Sequence, residues 1–390
     1  MEISGETIVA GTDYERVHIY TRDSQGEWSD MALVNTNSFS QGFGKSLALS
    51  NDTLIIGAPN KYTIVSVNPT RYMYDIGAAY IFIRDASNSW SEPQYIVAPT
   101  ANEGNLFGSA VAAYGDVLAI SAKGENGSRG AVYTYLNSNA CFLCNRQHIT
   151  ASDFSDRNFG SSIALFGDTL AIGAPNDNAP GSVYVYVLDN TGMWTEQYVI
   201  KPPLNQDNDR FGHSVAIYDD TIVIGAPLED SGSTGVNDDE QNNYENDAGA
   251  VYVYVRNNNI WTKQAYIKAS NTNASDLFGN GVAVYQDTLL VGAPGEDSGS
   301  TGINSDQSNN SDIDAGAVYI YKRDSSNIWS QIEYVKASNT DPGDEFGWNV
   351  AIDNNISVIN AKNEASARSG VNVEQADNSD FGRGALYLFE

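Results

Sequence analysis

Three stretches of this 390-residue chain carry oxygen donors at matching places. Gly235, Gly302 and Gly370 each stand 14 residues before a second glycine, inside 21-residue segments flanked by apolar runs. Within that frame Glu229, Glu296 and Glu364 coincide, as do Asn237, Asn304 and Asn372. The next shared places hold Asp239, Asp306 and Glu374, then Asn243, Asn310 and Asn378, while Asp247 and Asp314 mark a fifth that the third segment lacks. The first two segments together hold twelve acidic residues and no basic one. Crowded carboxylates repel unless a cation or water screens them, and hard oxygen donors suit Ca²⁺ or Mg²⁺ rather than zinc. The candidate ligands for one Ca²⁺ per segment are Glu229, Asp239, Asn243 and Asp247, and Glu296, Asp306, Asn310 and Asp314. The competing reading is that Asn and Asp close their own turns while the acids face solvent. The lack of a contiguous DxDxDG run favours that second reading.

Other chemistry finds little support. His18, His148 and His213 fall in unrelated parts of the chain, and no GxSxG elbow occurs. His213 follows Phe211-Gly212 at a place where other repeats carry Lys45, Ser109, Ser161, Asn280 or Trp348, so the position is replaceable. Cys141 and Cys144, with His148 nearby, supply fewer than the four ligands of a structural zinc site. They read as plain thiols, a local disulfide, or a pair with redox or metal chemistry. The net charge of −28 argues against nucleic acid and anionic membrane as partners. No run of 18 apolar residues is present, and no basic segment followed by an apolar core opens the chain.

These segments belong to a repeat. Phe-Gly pairs stand at Phe43-Gly44, Phe107-Gly108, Phe159-Gly160, Phe211-Gly212, Phe278-Gly279 and Phe346-Gly347, spaced 64, 52, 52, 67 and 68 residues apart. Each opens an apolar strand A, a two-residue polar turn such as Asp219-Asp220, a strand B such as Thr221 to Gly225 and a strand C such as Ala250 to Val255. Two-residue turns rich in Gly, Asn and Asp predict tight antiparallel hairpins. Trp90, Trp194, Trp261 and Trp329 each precede the next Phe-Gly by 17 residues, which sets a strand D and its link into the next unit. Strand C is apolar on both faces, as expected for sheets packed face to face. The Phe is expected to wedge between sheets, with its Gly allowing close backbone approach. The period predicts an all-β, seven-bladed β-propeller of four-stranded antiparallel blades, as one domain over 1–390. Its units run approximately over 1–35, 43–98, 107–151, 159–201, 211–269, 278–337 and 346–390, the first and last incomplete. A β-sandwich does not explain the period.

The six Phe-Gly pairs, with Gly57-Ala58-Pro59, Gly173-Ala174-Pro175, Gly225-Ala226-Pro227 and Gly292-Ala293-Pro294, resemble the FG-GAP repeat family of the integrin α-chain head and of bacterial secreted proteins. Ser121-Ala122-Lys123 and Asn360-Ala361-Lys362 are degenerate versions. Integrin-type repeats often carry a calcium loop between strands A and B. The turn here has two residues, too short to wrap a cation with 6–8 oxygens, so those sites do not carry over. Thr21 to Trp28 and Val187 to Trp194 look like the Asp-box hairpin of sialidases with the Gly one place late; that hairpin is structural.

The resemblance implies a non-catalytic extracellular or cell-surface binding or adhesion module, a monomeric propeller; Ca²⁺ is its candidate cofactor on the strength of the oxygen donors in the long loops alone. The acidic loops of blades 5–7 would meet a protein or glycan on a cell surface or matrix. The alternatives are a carbohydrate-binding propeller and the accessory propeller of a secreted enzyme. The chain opens part-way through a strand A and ends after a strand C, so an upstream strand, with a signal peptide before it, is the expected completion.

Overall fold

The computed structural model describes the chain except residues 13–14, 36–40, 68–69, 139–140, 177–179, 204–207, 367–370, 372–377 and 380–381, and omits the side chains of 31–35, 65–67, 70–71, 137–138 and 141–145. Gly370, Asn372 and Glu374, and the side chains of Cys141, Phe142 and Cys144, therefore lie outside the described residues. Two compact units divide the chain, Met1–Pro175 with Tyr184–Val199, and Asn176–Val183 with Ile200–Glu390.

The chain is all-β, with the seven antiparallel sheets of a seven-bladed β-propeller. Blades 3 to 6 each pair four consecutive strands in the order A-B-C-D. In blade 5 these are Ser214–Tyr218, Thr221–Ala226, Ala250–Asn257 and Ile260–Ile267. In blade 6 they are Val282–Tyr285, Thr288–Ala293, Ala317–Arg323 and Trp329–Val335. The first sheet has four strands, with strand A reduced to Glu2–Ser4, and the seventh has three. The first residue of the A–B turn has positive φ at Asn51, Asp219, Gln286 and Asn354, the conformation a two-residue hairpin demands. Blade 2 departs in two ways. Its strand D starts at Gln94 rather than at Trp90, which makes a lone bridge to Arg84. Its B–C connection forms a further hairpin, Thr63–Val67 with Thr70–Met73.

The Phe-Gly pairs join successive blades. Phe278 is fully buried among Val251, Val253 and Ile267 of blade 5 and Leu289 and Val291 of blade 6. Its ring meets Tyr319 edge-on at 5.3 Å, and the same pairing recurs as Phe107 with Tyr133 and Phe346 with Tyr387. The Phe278 N–H donates to Ala248 O at 3.0 Å, tying blade 6 to the start of strand C in blade 5; Phe346 repeats this on Ala315 O at 3.1 Å. Gly44, Gly108, Gly279 and Gly347 of these pairs meet Gly11, Gly57, Gly225 and Gly292 of the preceding strand B. A Cβ on Gly292 would lie 1.9 Å from Gly347 O, and one on Gly225 would lie 2.0 Å from Gly279 O. Blade 3 carries Ser121 in that place, whose hydroxyl accepts from Ala110 N.

The tight turns are fastened too. Arg256 donates from Nε to Asp220 Oδ1 in the A–B turn at 2.6 Å and lies over Trp261, 5.3 Å from the ring centroid. Arg323, Asp287 and Trp329 repeat this in blade 6, and Arg84, Asp52 and Trp90 in blade 2. At the C–D turns one aspartate oxygen gathers nearby donors: Asp189 Oδ1 accepts from Thr191 N, Thr191 Oγ1 and Met193 N. These Asp-box-like turns are structural.

Candidate functional site

The long B–C connections of blades 5 and 6 rest on a buried charge. Glu229 is 1% exposed, and Lys268, from the end of strand D, donates from Nζ to Glu229 Oε2 at 2.8 Å. The Tyr266 hydroxyl donates to Glu229 Oε1 at 2.9 Å, and Ser231 N donates to Oε2 at 3.1 Å. Glu296 repeats the arrangement with Lys336 at 2.8 Å, Tyr334 at 2.8 Å and Ser298 N at 3.1 Å. Burying a charge is tolerable only when it is paired and hydrogen-bonded, and both halves here are. Burial holds Lys268 and Lys336 below the ordinary lysine range, with the glutamates pulling the other way. It also pushes the hydroxyls of Tyr266 and Tyr334 far up, so both stay protonated donors.

From this root the connection folds back along its own sheet. Asn237 N donates to Tyr266 O at 2.7 Å while Asn237 Oδ1 accepts from Tyr266 N at 2.9 Å; Lys268 N donates to Gly235 O at 2.8 Å. Asn304 and Gly302 make the same bonds to Tyr334 and Lys336. The turn requires positive φ at Gly235 and Asn237, which explains the shared Gly and Asn. Through these bonds the connection covers part of the strand-D edge that would otherwise present unpaired amides. The hydroxyls of Ser231 and Ser233 both donate to Asp239 O, and those of Ser298 and Ser300 to Asp306 O.

The glutamates also connect neighbouring blades. Asn271, in the link from blade 5 to blade 6, donates from Nδ2 to Glu296 Oε1 at 3.0 Å and accepts from the Tyr319 hydroxyl. Asn339, in the following link, does the same for Glu364 at 2.9 Å and the Tyr387 hydroxyl at 2.6 Å. In the same links lie buried Asp276 and Asp344, whose carboxyl oxygens accept from Asn273 N and Asp341 N. Burial first, then the nearby charge of Glu296, pushes Asp276 up to about 8. Burial likewise raises Asp344 to about 7, with Asp341 and Glu364 adding.

The residues expected to hold calcium thus separate into two groups. Glu229 and Glu296 lie inside, already bonded to lysines. Asp239, Asn243, Asp306, Asn310 and Asp314 are exposed, and Asp247 is half-buried. Asp239 Oδ1 accepts from Gln241 N, and Asp306 Oδ1 from Ser308 N and its hydroxyl, which are turn-closing bonds. Asp247 N donates to Asp230 Oδ1 and Asp314 N to Asp297 Oδ1. Burial, then the facing aspartate, raises both Asp247 and Asp314. Among the described residues no group of three or more His, Cys, Asp or Glu side chains is placed to hold a metal. In blade 7, Asn378 Nδ2 donates to Asp341 Oδ2 at 2.7 Å.

Lys268 and Lys336 were not picked out among the sequence candidates, although YIKAS (Tyr266 to Ser270) and YVKAS (Tyr334 to Ser338) repeat a lysine within apolar strands. Glu125 was missed as well. It stands four residues after Ser121, as Glu229 stands four after Gly225, and it is buried. Its carboxylate accepts from the Tyr133 hydroxyl at 2.8 Å and lies 3.0 Å from His148 Nε2. His148 therefore occupies the place of Tyr266 and serves as a strut.

What these loops offer outward is acidic and partly apolar: Tyr244 is 84% exposed and Ile313 67%. Among the described residues, no helix is long and apolar enough to cross a membrane. The sequence matches no curated protein. A family model described as the FG-GAP repeat matches residues 90–135, 145–186, 194–254, 261–321 and 329–389. Four of these matches open on or beside strand D and close in strand C of the following blade, so the repeat spans the junction that Phe-Gly fastens. With more than half of its length matched, the chain belongs to the FG-GAP repeat family.

Proposed function

We propose that this propeller is a non-catalytic binding module of the extracellular or cell-surface kind, and that its partner engages the B–C loops of blades 5 and 6. The observation that carries this reading is the contrast within each loop. The base is fixed by a fully buried Glu–Lys–Tyr cluster, while the tip carries Asp238, Asp239 and Tyr244 to solvent. Binding groups on a rigid support lose little entropy on association. The acidic tips suit a protein partner with a basic surface. Calcium is the hard cation their oxygen donors would take. Its ligands would be the exposed Asp239 and Asn243 with the half-buried Asp247, and their counterparts Asp306, Asn310 and Asp314, because Glu229 and Glu296 are already paired.

The test changes tips and leaves roots. A variant with Asp238→Asn, Asp239→Asn, Tyr244→Ala and Ile313→Ala is compared with the parent for binding to cells and to immobilised matrix proteins. Binding should fall at least tenfold with the melting temperature held. Equal binding by the two proteins would remove these loops from the site.

A further inference from the structure

The B–C hairpin of blade 2 is built unlike the acidic loops. It pairs Ile64 with Tyr72, and the two-residue period of a strand puts Tyr62 and Ile64 on the same face as Tyr72 and Tyr74. That face is turned to solvent: Ile64 is 53% exposed, Tyr74 50% and Tyr72 38%. The rings touch one another, Tyr62 to Tyr72 at 5.3 Å, Tyr72 to Tyr74 at 5.9 Å and Tyr62 to Tyr74 at 6.1 Å. Lys61, the residue before Tyr62, carries its ammonium over the ring of Tyr95 at 5.6 Å, and Tyr95 is 47% exposed. A contiguous exposed aromatic surface on a two-stranded hairpin, which gains little stability from its own pairing, marks a place for contact.

We infer that this tyrosine face is a second binding site and that its ligand is a neutral glycan, stacked through the C–H faces of its sugar rings. Charge narrows the choice. An anionic ligand meets a chain of net charge −28, and a cation meets Lys61, which already occupies the Tyr95 ring. Ring geometry narrows it again. The interplanar angles of 74°, 45° and 34° leave no pair of parallel walls for a polyproline ridge, but give separate facets on which bent or branched sugars can rest. Planar polar groups stand at the border, where Asn60 Nδ2 donates to Asp75 Oδ1 at 3.0 Å, and such groups can turn to sugar hydroxyls.

The test is native electrophoresis of the whole chain through gels holding laminarin, mannan or xylan, beside a gel with none. At least one polysaccharide should slow the parent twofold or more. Tyr72→Ala with Tyr74→Ala, and separately Tyr95→Ala, should abolish or weaken that retardation. Tyr72→Phe with Tyr74→Phe should keep it, because the ring faces remain. Asp239→Asn with Asp306→Asn should keep it too, which separates this site from the acidic loops. The inference is overturned if none of the three gels slows the parent, or if the alanine variants, folded by melting temperature, are slowed equally. Tyrosine-dependent binding to a polyproline peptide or to neutral lipid vesicles, without retardation by any polysaccharide, would also overturn it.

Discussion

Lys268 and Glu229 meet at 2.8 Å with both side chains at most 1% exposed, and the connection between strands B and C is anchored on that meeting. The acid comes from the loop and the base from the strand. The loop is therefore not an appendage that can be removed while the strands stay intact: taking it away would leave an ammonium buried without its partner.

Removing one half of this pair should cost far more than removing both. Glu229→Ala is expected to destabilise the fold by about 3–5 kcal/mol, as for breaking a buried ion pair. Glu229→Ala with Lys268→Met should recover most of that loss, since no buried charge remains. Urea unfolding of the two variants and the parent measures the difference. Equal destabilisation by the single and double changes would mean that the pair does not act as a unit.

Calcium is tested by melting. A ligand that binds only the folded chain raises its stability by mass action. The melting temperature should rise in millimolar calcium, and Asp239→Ala with Asp306→Ala should remove most of the rise. A flat titration would assign the loop acids to turn closure and solvent alone.

The links between blades predict a pH dependence. Asp276 is raised from 3.8 to about 8, so between those values the unfolded chain holds fewer protons than the folded one at this site. Its contribution to stability is therefore full below pH 4 and is lost as pH rises toward 8. Asp344 adds the same sign up to about 7. Asp276→Asn should flatten the fall in melting temperature between pH 5 and 8 and be relatively most stabilising at pH 8. A parallel curve would show that Asp276 is ionised at neutral pH.

Gly292 tests the junction. A Cβ there would meet Gly347 O at 1.9 Å, backbone against backbone, whereas at Gly302 nothing lies within 4 Å. Gly292→Ala is expected to cost about 1–3 kcal/mol through overpacking. Calorimetry should show a lower melting temperature than for the parent; no change would mean that the blades separate freely at this point.

The sequence by itself determined the repeat, the blade count and the strand pairing. Hairpin turns such as Asp219-Asp220 and doubly apolar strands such as Ala250 to Val255 encode their geometry within a few residues. It also placed Phe278-Gly279 at a junction. Local pattern did not show that Trp90 stands ahead of its strand, because strand D of blade 2 pairs only over Gln94–Ile96. Nor did it show what Glu229 and Glu296 do. Read along the chain they are acids among acids, and their partners Lys268 and Lys336 lie 39 and 40 residues away. Only the pairing of strand D with strand C brings each lysine to its glutamate, and only burial turns that encounter into a fixed root. The aromatic face of blade 2 was hidden for the same reason. Tyr62 and Tyr74 become neighbours only when the hairpin between them closes, since side chains share a face by strand register rather than by nearness in sequence.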